Sequence, residues 1–284
     1  MVHAGYDCSV PGLPFALTHP SGLSFRGDVH LPEGSGRAPV VVLCHGFKGF
    51  KDWGFFPWLA EGLAREGFAA VRMNFALNGI ADDPLAFTRL DRFAANTITQ
   101  ELADLDLLIS TLKSGGLPGS DRLDPARLGL LGHSLGGGVV LLRALEDPGV
   151  RAVATWSSVE RFWSGVDPEL WRRQGHLDFL NSRTNQVMRV AYGAWEDIEA
   201  HPGYDFGPRL NSLKVPLLLV HGSEDPSVPC AASGHLAALA GSRATLHLVD
   251  GGDHAFGASM PFKGATPRLE EALGATSGFF RKAL

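Results

Sequence analysis

The feature that most limits how this chain can fold is a series of short apolar runs separated by segments of helical period. Val40-Val41-Val42-Leu43-Cys44 is apolar at every position, as expected of a strand buried on both faces. Further strand-like runs occupy residues 69–75, 127–132, 150–156, 215–221 and 244–249. Between them lie stretches with apolar residues three and four apart. Residues 52–65 place Phe56, Leu59 and Leu63 on one side. A helix capped by Asn96 or Thr97 aligns Ile98, Leu102, Leu105, Leu108, Ile109 and Leu112. Residues 134–145, 231–240 and 267–284 read as further helices, and residues 14–31 as an opening hairpin around Pro20-Ser21-Gly22. Buried strands alternating with amphipathic helices form βαβ units. The expectation is therefore an α/β fold, a mostly parallel sheet covered by helices on both faces.

Composition narrows the class. Of 284 residues, 45% are hydrophobic and 19% charged, so one large core over residues 1–284 is expected. A net charge of −5 without a basic stripe argues against nucleic acid. The longest apolar runs, 39–44 and 215–220, fall far short of the roughly 20 residues of a membrane span. The first ten residues show neither the basic nor the apolar region of a signal peptide. Three scattered cysteines, Cys8, Cys44 and Cys230, read as reduced thiols, so a cytoplasmic location is expected. From Trp156 to Phe206 the chain holds nine aromatics and no clear strand, over a length that exceeds a plain crossover. Residues 157–210 read as a small helical cap inserted at one edge of the sheet.

The sharpest local signal is Gly132-His133-Ser134-Leu135-Gly136, between a strand-like run and a helical one. That is the setting of a G-x-S-x-G elbow, in which a tight turn lifts the serine hydroxyl clear of the sheet. The competing reading makes Ser134 a simple helix cap in a glycine-rich turn. A serine nucleophile needs a base, and His254, in the glycine-rich loop after the last strand, is the best placed of eleven histidines. The base in turn needs a carboxylate to hold its tautomer. Asp225, four residues past the strand-end His221, is the choice; its alternative role is an Asx turn before Pro226. Glu224 points the other way in an extended segment, and Asp253 adjoins the base too closely to reach round to it. No His, Asp or Glu spacing demands a metal, and 46–51 lacks the phosphate-loop pattern.

Cys44-His45-Gly46-Phe47-Lys48-Gly49, Gly132-His133-Ser134-Leu135-Gly136-Gly137, His221-Gly222-Ser223-Glu224-Asp225 and Gly251-Gly252-Asp253-His254 occur in this order. Together they resemble the α/β-hydrolase family, in particular its serine-esterase and dienelactone-hydrolase-like branch. The resemblance implies an eight-stranded sheet, a Ser134–Asp225–His254 triad and no cofactor. It also implies an oxyanion hole built from the Phe47 and Leu135 backbone N–H groups, with His45 and His133 as structural residues beneath these loops. The cap resembles that of small feruloyl or cinnamoyl esterases, in which case Trp163, Trp171, Phe179, Tyr192 and Trp195 line a substrate pocket. The alternative is that these aromatics form the cap's own core. Arg89, in the long 77–97 loop, is expected to pair with a neighbouring Asp.

The function expected is hydrolysis of a small carboxylic ester through an acyl-enzyme, with aromatic or short-chain acyl groups as candidates. A peptidase or thioesterase of the same fold competes with it, as does a non-catalytic binding member. A homodimer is compatible with any of these.

Overall fold

The computed structural model describes residues 12–284; the opening segment and Cys8 lie outside the described residues. In chain order the elements are β1 (Leu13–Thr18), β2 (Ser24–His30), β3 (Ala38–Cys44), α1 (Phe56–Arg65), β4 (Ala69–Met73) and α2 (Leu90–Ala94). There follow α3 (Ile98–Lys113), β5 (Leu123–His133), α4 (Leu135–Glu146), β6 (Val150–Trp156), α5 (Pro168–Gln174) and β7 (His176–Asn181). The chain closes with β8 (Gln186–Ala191), α6 (Gly193–Ala200), β9 (Leu217–Gly222), α7 (Ala231–Ala240), β10 (Ala244–Val249) and α8 (Pro267–Ala283).

Eight strands form one sheet in the order β1-β2-β4-β3-β5-β6-β9-β10. Only the β1–β2 and β2–β4 pairings are antiparallel; the others are parallel. Both faces are covered, and β3 shows how. Val40, Val42 and Cys44 pack with residues of α3 and α4, whereas Val41 and Leu43 pack with residues of α1 and α8. This two-sided burial is why β3 is apolar at successive positions rather than at alternate ones. The parallel strands β3, β5, β9 and β10 all end at the same rim, where open α/β sheets place their ligands.

Helix α1 starts at Phe56, later than the expected 52–65 span. Lys51 and Asp52 are instead held in a charged cluster. The Lys51 ammonium lies 2.6 Å from Asp28 and 2.7 Å from Asp52, and Arg72 lies 2.8 Å from Asp52. Gly54 then turns the chain with φ +47.

The 157–210 segment, expected to be helical, is mixed. Helices α5 and α6 flank an antiparallel hairpin, β7–β8. Met188 and Val190 alternate inward from β8 and join Trp171 and Ala194 in a small core with Phe50, Phe87 and Phe93 from the segments after β3 and β4. The cap is thus fastened to the rim of the sheet. No helix among the described residues is long and apolar enough to cross a membrane.

Candidate active site

Ser134 stands between β5 and α4 with φ 57 and ψ −122, a conformation that costs a non-glycine residue about 1–3 kcal/mol. The surroundings enforce it. The Ser134 N–H donates to the Trp156 carbonyl at 2.9 Å, and the Ser134 carbonyl accepts from Gly137 at 2.9 Å and from Val159 at 3.3 Å. Glycine is required at the elbow because the backbone doubles back on itself. A Cβ on Gly132 would lie 2.1 Å from the Gly136 oxygen.

The loop after β3 presses against this elbow. A Cβ on Gly46 would meet the Ser134 Cβ at 2.8 Å and the Leu135 N at 3.3 Å. The Gly46-Phe47 backbone and the first amide of α4 therefore sit side by side next to the serine. Helix N-terminal amides suit a developing negative charge. Buried His45 supports the loop: its Nδ1–H donates to the Gly46 carbonyl at 3.0 Å, and its Nε2 accepts from the Phe75 N–H at 3.2 Å. Burial pushes its pKa down to about 4, so it is held neutral. Lys48, at φ 57, donates from Nζ to the Leu180 carbonyl at 3.3 Å and ties the same loop to the cap hairpin.

Asp225 and His254 meet across the ends of β9 and β10. His254 Nδ1–H donates to Asp225 Oδ2 at 2.7 Å, which leaves Nε2 as the proton-accepting nitrogen. The Asp225 side chain is wholly buried, while that of His254 is 22% exposed. Asp225 Oδ1 accepts the Ser227 and Val228 N–H groups at 2.8 and 2.9 Å. The Asx turn and the orienting carboxylate are thus one structure rather than alternatives. Burial alone would raise the Asp225 carboxyl. Hydrogen bonds from His221 and His254, the His254 charge and the Val228 amide outweigh it and hold the carboxyl well below the usual carboxylate range. Asp253 acts within its own loop. Its Oδ1 accepts from Ala255 at 3.0 Å and Gly257 at 2.7 Å, capping the turn that carries His254.

Two further histidines complete the arrangement. His133 Nε2–H donates to the His254 carbonyl at 2.9 Å, anchoring the base from below. Burial, with the nearby His254 charge, lowers its pKa to about 3. His221 is the residue that sequence reasoning left without a role. It is fully buried, and its Nε2 lies 3.1 Å from Asp225 Oδ2 and 2.9 Å from the Val228 carbonyl. A carbonyl only accepts, so Nε2 carries the proton, and Nδ1 accepts from the Ser233 hydroxyl at 2.6 Å. Its place at the end of an apolar strand, four residues before Asp225, was the available signal.

Ser134 and His254 line two cavities in common. The larger, about 500 Å³, extends under the cap to Trp163, Phe179 and Val166. The smaller, about 270 Å³, extends to Trp53, Arg183 and Met260. Of the five cap aromatics expected in a pocket, Trp163 and Phe179 line the larger cavity. Trp171 and Tyr192 serve the cap itself, and Trp195 lines an adjoining cavity. Trp171 is fully buried and donates its indole N–H to the Val190 carbonyl at 3.2 Å. Tyr192 packs edge-on against Trp171 and accepts from Arg172. Trp195 packs on Trp171 and lines a cavity of about 310 Å³ with Tyr204 and Ile198; this cavity shares Arg161, Trp163, Ser164 and Val166 with the larger one. Arg89 pairs with Asp91 through two hydrogen bonds of 2.9 and 2.7 Å, away from both cavities that hold Ser134.

The family described as PETase, PET hydrolase-like, matches residues 14–186. A cutinase of Thermobifida cellulosilytica, Cutinase 2, is 27% identical over 162 residues, 54% of this chain and 55% of the relative. A bis(hydroxyethyl) terephthalate hydrolase of Streptomyces coelicolor is 29% identical over 145 residues, 49% of this chain and 40% of the relative. The chain spans about half the length of the curated relatives it matches. Among solved structures, Est1E from Butyrivibrio proteoclasticus with ferulic acid bound superposes with a TM-score of 0.71 at 20% identity. That match covers 92% of this chain and 96% of the other.

Proposed function

Since this chain belongs to the PET hydrolase-like family and has an α/β-hydrolase fold, we propose that it hydrolyses carboxylic esters through an acyl-enzyme. Ser134 attacks the acyl carbonyl and His254 Nε2 takes its proton. Asp225 holds the imidazole tautomer and stabilises the imidazolium. The Phe47 and Leu135 N–H groups bind the oxyanion, a pair in which loss of one donor costs about 3–4 kcal/mol. Collapse of the intermediate releases the alcohol, which takes the proton from His254. Water, activated by the same nitrogen, then frees the acid.

The observation that carries this reading is the 2.7 Å contact between His254 and Asp225 beside a serine whose strained backbone serves no other visible purpose. Esters are favoured over amides and thioesters by the names of the relatives, a cutinase and a terephthalate-ester hydrolase. Aromatic acyl groups are supported by Trp163, Phe179 and Phe47 on the walls of the larger cavity. A small-molecule ester is the partner in this account. Cytoplasmic location is supported by the two free thiols among the described residues, Cys44 and Cys230.

Hydrolysis of p-nitrophenyl butyrate and bis(hydroxyethyl) terephthalate tests the proposal. Ser134→Ala is expected to lower kcat by about 10⁴-fold or more. Retention of a tenth of the activity overturns it.

A further inference from the structure

A much smaller cavity lies behind the proposed oxyanion loop. It measures about 10 Å³, room for one water-sized group. Phe47, Leu135 and Trp163 line both this cavity and the large one that holds Ser134 and His254. The two therefore adjoin each other at these three residues. The remaining wall includes Asn96 and Glu101, at the start of α3.

Three residues of this wall each hold a buried polar atom with no partner in the protein: Asn96 Oδ1, Glu101 Oε2 and Trp163 Nε1. Buried polar groups are paired in most proteins, so three orphans around one cavity need a cause. Their chemistry is complementary to a single kind of group. Glu101 is 5% exposed, and its Oε1 accepts from Asn96 Nδ2 at 2.7 Å, which turns Asn96 Oδ1 away from it. Burial is the main influence on the Glu101 carboxyl; the Asn96 hydrogen bond opposes it, Asp104 adds to it, and the net effect raises the pKa to about 8. At neutral pH Glu101 is thus a protonated donor through Oε2. Trp163 Nε1 is also a donor, and Asn96 Oδ1 is an acceptor. A carbonyl would leave the amide oxygen empty, and an ammonium would leave two donors facing it. A hydroxyl, with one proton to give and two lone pairs, satisfies all three.

We infer that Asn96, Glu101 and Trp163 form a hydroxyl-binding subsite, and that the preferred substrate is the ester of a hydroxylated acid whose hydroxyl enters from the large cavity past Phe47 and Trp163. This inference rests on the esterase reading and names its substrate class. Aliphatic and aromatic hydroxyls share the required chemistry, and the test separates them.

The test compares matched methyl esters by pH-stat on the full chain at pH 6.5. The pairs are 3-phenylpropanoate against 3-(4-hydroxyphenyl)propanoate and hexanoate against 6-hydroxyhexanoate. At least one hydroxylated member is expected to be preferred by about tenfold or more in kcat/KM, because a site built to bond a hydroxyl discriminates against its absence. The pair that shows the preference identifies the hydroxyl as aromatic or aliphatic. Glu101→Met is expected to bring that ratio close to one, whereas Glu101→Gln, which keeps a donor, retains most of it. Should Glu101→Met fail to fold, Trp163→Phe removes only the indole donor and is expected to cut the ratio at least threefold. Equal rates within both pairs, with ester hydrolysis intact, overturn the subsite and leave the esterase reading standing. A preference that survives Trp163→Phe and Glu101→Met unchanged also overturns it, the cavity then holding a water only. Hydrolysis of none of the four esters, or of p-nitrophenyl butyrate, overturns both.

Discussion

Replacing Gly222 with alanine tests whether the contact between the acid and base loops sets the geometry of the site. Gly222 ends β9, three residues before Asp225. A Cβ there would lie 2.2 Å from the Gly252 oxygen, 2.4 Å from its carbonyl carbon and 2.6 Å from the Asp253 oxygen. All three atoms are backbone, and they belong to the two residues immediately before His254. Ordinary contact starts near 3.4 Å, so the base loop must retreat by about 1 Å. The Glu224 N–H bond to the Gly252 carbonyl, 2.9 Å, stretches with it. So does the 2.7 Å bond between His254 and Asp225. A misplacement of about 1 Å costs roughly 10²-fold in rate, and overpacking costs about 1–3 kcal/mol of stability. The expected result for Gly222→Ala is a folded chain by circular dichroism, a lowered melting temperature and a kcat on p-nitrophenyl butyrate reduced about 100-fold. Gly234→Ala is the control. It makes the same chemical change inside α7, where an added Cβ meets nothing within 4 Å. That variant is expected to gain about 0.5–1 kcal/mol with unchanged activity. A Gly222→Ala variant that keeps more than a third of the activity refutes the reasoning.

Two other perturbations address the buried titratable groups. His221→Phe removes the donor to Asp225 Oδ2 and strands the Val228 carbonyl and Ser233 hydroxyl. It is expected to cost about 3 kcal/mol or more in denaturant titration and to lower kcat at least tenfold, with Ser233→Ala in the same chain recovering part of the stability. A loss below about 1 kcal/mol would show that the three hydrogen bonds do not act as drawn. Glu101→Gln tests the raised carboxyl. The pKa moves from 4.5 up to about 8, so between these values the folded chain keeps a proton that the unfolded chain has released. Stability then falls as pH rises through that window, by at most about 1.4 kcal/mol per pH unit. The difference in melting temperature between Glu101→Gln and the parent is expected to move in favour of the variant from pH 5 to pH 8. An unchanged difference contradicts a protonated Glu101.

The parallel sheet was legible because burial on both faces leaves no polar position in β3 and only His221 in β9, and period alone then separates strands from helices. The elbow was legible because close backbone approach admits only glycine at 132, a constraint visible in a single residue type. The cap hairpin escaped because the segment's length and aromatic content suggest an insertion without specifying strand or helix. Yet Met188 and Val190 alternate with Arg189, and Ser182 to Asn185 form the turn between the two strands. Five cap aromatics were grouped as pocket residues, although which of them face a cavity depends on how the cap folds on Phe50, Phe87 and Phe93. His221 escaped for a similar reason. A histidine ending an apolar strand gives no sign of what its two nitrogens touch. The 96–101 cluster was legible only as a helix start, since the orphaned atoms become visible once Trp163 is placed beside them.

The central claim is that Ser134 is the nucleophile of a serine hydrolase. Intact mass spectrometry after incubation with a fluorophosphonate tests it directly. The account predicts one adduct per chain, located on Ser134 by peptide mapping and absent from Ser134→Ala. An adduct that persists in that variant, or ester hydrolysis by a parent chain that takes no label, would contradict it.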